Sequence, residues 1–184
     1  ARFYNMRRKP AAEAEPNAAH HALAALEADG RHQVLIVTQN VDDLHERGGS
    51  QNVIHMHGTL TGALCHACGH RWPAPVEMAP ADPCPACAAP ETRPDIVWFG
   101  EMPYRMEEIW DAIRAADLFV SIGTSGNVYP AAGFVADARH AGVKTLELNL
   151  EPSAGTRFFD AARQGPATKL VPQWVQEMLA GAEK

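Results

Sequence analysis

No apolar run in this sequence approaches the roughly 18 residues needed to span a bilayer. A membrane partner is therefore not expected, and no basic-then-apolar leader marks the chain for secretion. Positive charge is also in short supply: 16 Lys and Arg stand against 22 Asp and Glu, a net charge of −6 with a pI near 5.8. That balance argues against nucleic acid as a partner. Internal repeats and low-complexity tracts are lacking. The sequence opens Ala1-Arg2-Phe3 without an initiator methionine, as expected of a fragment or a processed form. What remains is 184 residues, 46% of them hydrophobic, enough to bury one sizeable core with a small satellite module.

Cysteine is scarce too, and all four residues fall in one window: Cys65-x2-Cys68, then Cys84-x2-Cys87. An acidic chain without a secretion signal belongs in the cytoplasm, where disulfides are rare. Two Cys-x2-Cys turns instead match the paired-knuckle zinc pattern. Four thiolates complete a tetrahedron around Zn2+ and leave no open position, so the expected site is structural. His66 and His70 lie in the window as bystanders.

Taken in order, residues 1–9 suit a helix that Pro10 ends. Asn17 is placed to cap a helix carrying Leu23 and Leu26, which Gly30 stops. Val34-Leu35-Ile36-Val37 reads as a buried parallel strand. Between Leu60 and Asp95 the composition turns to cysteine, proline and short turns. A zinc ribbon over 60–95 is therefore expected as an insertion in a domain formed by 1–59 and 96–184. Val97 to Glu101 leaves the ribbon as an extended segment. Residues 105–116 and Pro130 to Ala141 have helical patterns, Leu118 to Ile122 and Val143 to Leu150 are strands, and an amphipathic helix from Val171 to Leu179 closes the chain. Strands alternating with helices predict an α/β fold with a doubly wound, Rossmann-like parallel sheet.

Ligands of such sheets sit beyond the carboxyl ends of the strands. Gln39, Asn40 and Asp42 leave the first strand there, and His57, followed by Gly58, can reach the same crevice. Two amides, a carboxylate and an imidazole can bind a sugar and take its proton; they equally suit a polar loop capping a strand. Gly123-Thr124-Ser125 ends the second strand in a turn suited to close approach by a nucleotide, and Asn149-Leu150-Glu151 ends the third with groups able to bond ribose. Tyr4 and Arg7 share a helical face beside a basic run, which by itself suggests only a solvated surface.

In this order, Gln39-Asn40-Val41-Asp42, His57-Gly58, the four cysteines, Phe99-Gly100-Glu101, Gly123-Thr124-Ser125 and Asn149-Leu150-Glu151 resemble the sirtuin family of NAD-dependent protein lysine deacylases. The likeness covers nearly the whole chain. It is greatest to the bacterial class III branch, because Tyr4 and Arg7 match the Tyr-x2-Arg pair that there binds the carboxylate of succinyl- or malonyl-lysine. The resemblance implies NAD and zinc as cofactors and acylated-lysine proteins or peptides as partners. It implies His57 as general base, with His55 the weaker candidate. It further implies Asp42 on the nicotinamide carboxamide and Gln39 and Asn40 on the adjoining ribose. Gly123, Thr124 and Ser125 would take the adenosine side, Asn149, Leu150 and Glu151 its ribose, and Ala167 the adenine through its backbone. Val97, Phe99, Gly100 and Glu101 would form an edge to which the peptide adds as a strand. The products implied are nicotinamide, free lysine and O-acyl-ADP-ribose.

The family also opens with a strand, a Gly-Ala-Gly turn and an Arg-bearing loop that this sequence does not carry, so the N-terminal part of the sheet is expected to be missing here. Two other readings belong beside the enzyme: a non-catalytic zinc-ribbon module that captures peptides, and a protein ADP-ribosyltransferase.

Overall fold

The computed structural model describes residues 2–79 and 81–181. Helix α1 (Arg2–Glu13) runs through Pro10 instead of ending at it. Proline removes one N–H from the ladder, and Pro10 is exposed, so water can take the carbonyl it leaves free; Ala14 N–H then bonds the Pro10 carbonyl at 3.0 Å. Helix α2 (Ala18–Ala28) is capped as the sequence predicts. The Asn17 side chain accepts from the Ala19 and His20 N–H groups, and the His20 ring returns the bond to the Asn17 N–H.

Strand β1 (Ile36–Thr38) pairs in parallel with β2 (Val53–His55), the short helix α3 (Leu44–Arg47) lying between them in the chain. An antiparallel sheet follows, order β4-β3-β5, from β3 (Gly58–Cys65), β4 (Arg71–Pro73) and β5 (Thr92–Ile96). Helix α4 (Met106–Ala115) then leads to β6 (Leu118–Ile122), α5 (Phe134–His140) and β7 (Lys144–Asn149). Strand β8 (Ala161–Gln164) precedes the closing helix α6 (Ala167–Gly181). β6, β7 and β8 form a second parallel sheet in that order.

Helices cover both sides of the parallel strands. Leu23 and Leu26 of α2 join Val171, Trp174 and Val175 of α6 in a core against Ile36, Leu146 and Leu148. Ile109 and Ile113 of α4 and Phe134 and Ala138 of α5 form another with Ile54 and Met56. The architecture is thus mixed α/β with parallel sheets between helical layers, as the alternation of elements requires.

One strand carries no signal in the sequence, and a further local expectation fails. β8 carries Ala161-Ala162-Arg163-Gln164, all exposed. Such a sequence has little strand propensity, and backbone pairing to β7 makes it a strand. Residues 97–101 turn where extension was expected, because the Glu101 N–H returns to the Trp98 carbonyl at 3.0 Å and Gly100 has φ +90°.

Candidate active site

The loops leaving β1 and β6 meet. Gln39 Nε2 lies 3.5 Å from the Thr124 hydroxyl. Gly123 follows β6 with φ +63°, and a Cβ there would meet nothing within 4 Å, so open space lies in front of the strand end. The Asn149 amide, at the end of β7, donates to the Thr124 carbonyl at 2.6 Å. Three strand ends therefore converge, and Asn149 braces the 123–126 turn. Ser125 and Glu151 are exposed and Leu150 points outward at 65% exposure. Ala167 opens α6, packed against the first of the two cores.

His57 stands between β2 and β3, half-buried, with Nδ1 3.2 Å from the Gln39 carbonyl. A carbonyl oxygen only accepts, so Nδ1 carries a proton, and in the neutral ring Nε2 has the lone pair. His55 has no such freedom: Nε2 meets Glu46 Oε1 at 2.6 Å and Nδ1 faces the Asn40 carbonyl at 3.4 Å. Asp42 accepts the Leu44 N–H at 3.2 Å, and its charge is felt by His20 and His45. Asn40 is exposed. Gly58 beside His57 has φ +80°, and a Cβ there would lie 2.0 Å from the Asp95 carbonyl oxygen. Glycine is what lets β3 start so close to β5.

The His57 carbonyl accepts the Val97 N–H at 2.9 Å, which ties the imidazole's backbone to the 97–101 turn. That turn is folded around a residue the sequence did not single out. Arg93 donates to both Glu101 oxygens (2.6 and 2.7 Å) and to the Ile96 carbonyl, with its guanidinium 3.7 Å from the Trp98 ring centroid. Glu101 also accepts the Trp98 N–H at 2.8 Å. The Arg93 bonds first, then the Trp98 N–H, pull the Glu101 carboxyl down to about 2. Phe99 is fully exposed at the tip. Among the described residues, no acceptor meets the Phe99 or Gly100 N–H. Nothing in the local sequence pattern points to Arg93.

Glu147 was also missed. It is 2% exposed and accepts the hydroxyls of Thr156 and Ser153. Ser153 in turn packs on Gly126, so this carboxylate supports the turn in front of β6. A lone acid between Leu146 and Leu148 in a buried strand was the available signal.

Tyr4 and Arg7 lie on α1. Tyr4 meets Phe3 edge-on, and the Arg7 guanidinium is 4.1 Å from the Phe3 ring centroid. Helix α1 lies against β3, where Arg8 donates to the Leu60 carbonyl at 2.9 Å.

The four cysteine sulfurs lie within 4.8 Å of one another. The Cys65–Cys87 and Cys68–Cys84 separations are 3.7 and 3.8 Å. Zinc–sulfur bonds of about 2.3 Å give a tetrahedral edge of about 3.8 Å. The donor set fits zinc, with two of its edges already at that length. For NAD the fit rests on the three converging strand ends and the open space before Gly123.

Comparison with known proteins agrees with this geometry. Residues 1–130 match the Sir2 family. The chain is 56% identical to an NAD-dependent protein deacylase of Caulobacter vibrioides, covering 97% of this chain and 76% of that protein. It is 53% identical to one of Vibrio vulnificus, covering 98% and 75%. A Sir2 homologue solved with NAD superposes with a TM-score of 0.89 at 34% identity, over 98% of this chain and 71% of that one. A Sir2 complex with NAD+ and a p53 peptide gives 0.80 at 29% identity, over 93% and 73%. The chain belongs to the Sir2 family and is an NAD-dependent protein lysine deacylase.

Proposed function

We propose that this enzyme removes succinyl and malonyl as well as acetyl groups from protein lysines, with His57 as the base. The observation that supports the reading is the hydrogen bond from the Val97 N–H to the His57 carbonyl at 2.9 Å, which ties the residue read as base to the segment read as the peptide's edge. When bound, NAD supplies a glycosidic bond from which nicotinamide departs. Gln39, Asn40 and Asp42 would hold the nicotinamide end. Gly123, Thr124, Ser125, Asn149, Leu150, Glu151 and the Ala167 backbone would hold the adenosine end. With Nδ1–H donated to the Gln39 carbonyl, Nε2 of the neutral His57 ring is the nitrogen that would take a proton from a sugar hydroxyl. Cys65, Cys68, Cys84 and Cys87 would hold zinc, which fixes the inserted module (60–95) within the larger domain (1–59 and 96–184). Such a site needs reduced sulfur, which supports a cytoplasmic setting.

The acylated peptide would lie along Val97, Phe99, Gly100 and Glu101 and pair its main chain with the Phe99 and Gly100 N–H groups, which have no partner among the described residues, at the turn rather than along a regular strand. Tyr4 and Arg7 are the acyl readers. A guanidinium forks onto a carboxylate and a phenol adds one directed donor. The test is Arg7→Met assayed with NAD on succinyl- and acetyl-lysine peptides. Desuccinylation should fall by about ten-fold or more, the worth of a charge-assisted bond, with deacetylation little changed. Equal losses on both peptides would remove the acyl assignment, and label passing from NAD to protein would favour ADP-ribosyl transfer.

A further inference from the structure

Helix α1 has no apolar anchor: none of its described side chains is buried, and Phe3 and Met6 are 52% and 61% exposed. Its seat is polar. The Asn5 amide donates to the Met78 carbonyl at 3.0 Å and accepts the Met78 N–H at 3.2 Å, pairing with that backbone as a neighbouring strand would. Arg8 donates to the Leu60 carbonyl (2.9 Å), the Asn5 oxygen (2.7 Å) and the Met78 sulfur (3.1 Å), and burial lowers its pKa. Met78 is itself 4% exposed, in the segment between β4 and Cys84. Leu60 is in β3, three residues past His57.

We propose that Asn5 and Arg8 are positioning residues for acyl selectivity. They moor α1 to the inserted module and so set the direction of Tyr4 and Arg7. At 3.6 residues per turn, Asn5 and Arg8 occupy one stripe of the helix, and Tyr4 and Arg7 the stripe beside it. A small rotation of α1 about its own axis would therefore swing the two readers away from an acyl carboxylate. With no buried apolar side chain to resist rotation, the hydrogen bonds to Met78 and Leu60 hold the angle. This rests on the reading of Tyr4 and Arg7 as carboxylate ligands.

The experiment compares kcat/KM for succinyl- and acetyl-lysine peptides in Asn5→Ala, with Arg7→Met as reference and thermal unfolding run alongside. The succinyl-to-acetyl ratio should fall about five-fold on loss of the Asn5 bonds. The acetyl value and the KM for NAD should stay near those of the parent. Where Asn5→Ala does not fold, Asn5→Asp keeps the acceptor for the Met78 N–H, loses the donor, and should move the ratio the same way by less. A general loosening would lower both kcat/KM values together with the ratio unchanged, and that result overturns the proposal. If Arg7→Met shifts the ratio and the Asn5 variants do not, the acyl readers stand and the mooring fails. An unchanged ratio in Arg7→Met overturns both.

Discussion

Nδ1 of His57 lies 3.2 Å from the backbone carbonyl of Gln39, the residue that leaves β1. One bond therefore sets the imidazole's tautomer and fastens it to the loop proposed to carry the nicotinamide end. His57→Gln should lower kcat by about 10²–10⁴-fold, the usual worth of a general base. Steady-state assays with an acetyl-lysine peptide will show it. A loss of less than ten-fold would assign the proton transfer to another group.

Gly58 presses its α-carbon against β5 with a left-handed backbone. Gly58→Ala meets both the 2.0 Å clash with the Asp95 carbonyl and a disfavoured φ, so β3 must shift. The expected cost is about 2–4 kcal/mol of stability. Denaturant unfolding measures it, and a variant as stable as the parent would contradict the packing of β3 on β5.

His20 and His45 meet edge to face at 4.8 Å. Burial, foremost, holds both below their usual 6.5; each is also opposed by neighbouring imidazoles and drawn back toward charge by Asp42, and His45 by Glu46 as well. His21 acts on His20, and His55 on His45. The unfolded chain thus takes up protons first, so the full stability is present above the ordinary value of 6.5 and is lost as pH falls from there through the lowered folded-state pKa values. Tm should drop between pH 7 and 5.5, and His45→Gln should flatten the slope. A profile identical in the two proteins would refute the assignment.

The sulfur geometry predicts about one zinc per chain, and Cys65→Ser should release it and unfold the β4-β3-β5 sheet. Metal analysis with circular dichroism will decide. A well-folded, zinc-free Cys65→Ser protein would show the module to be held by its chain alone.

Much of this was legible in single residues. The Asn17 cap, the apolar strands and the Cys-x2-Cys pairs each act over a few residues, where local sequence and local physics coincide. Readings that failed depended on partners far away. Pro10 was expected to end α1, yet an exposed kink position costs little when water replaces the missing bond. The exposed Ala161-Ala162-Arg163-Gln164 became a strand because β7 was there to pair with it. Arg93 carried no signal because its meaning lies in Glu101 and Trp98, which come to it only once the turn is made.

By itself the sequence determined the alternation of strands and helices, the thiol set and the motif order, since periodicity and spacing are properties of the chain. Only the tertiary structure decided which imidazole keeps a free nitrogen, which arginine folds the 97–101 turn, and what α1 rests upon. Those depend on hydrogen bonds between residues up to 73 positions apart, and no local pattern records a contact that distance alone makes possible.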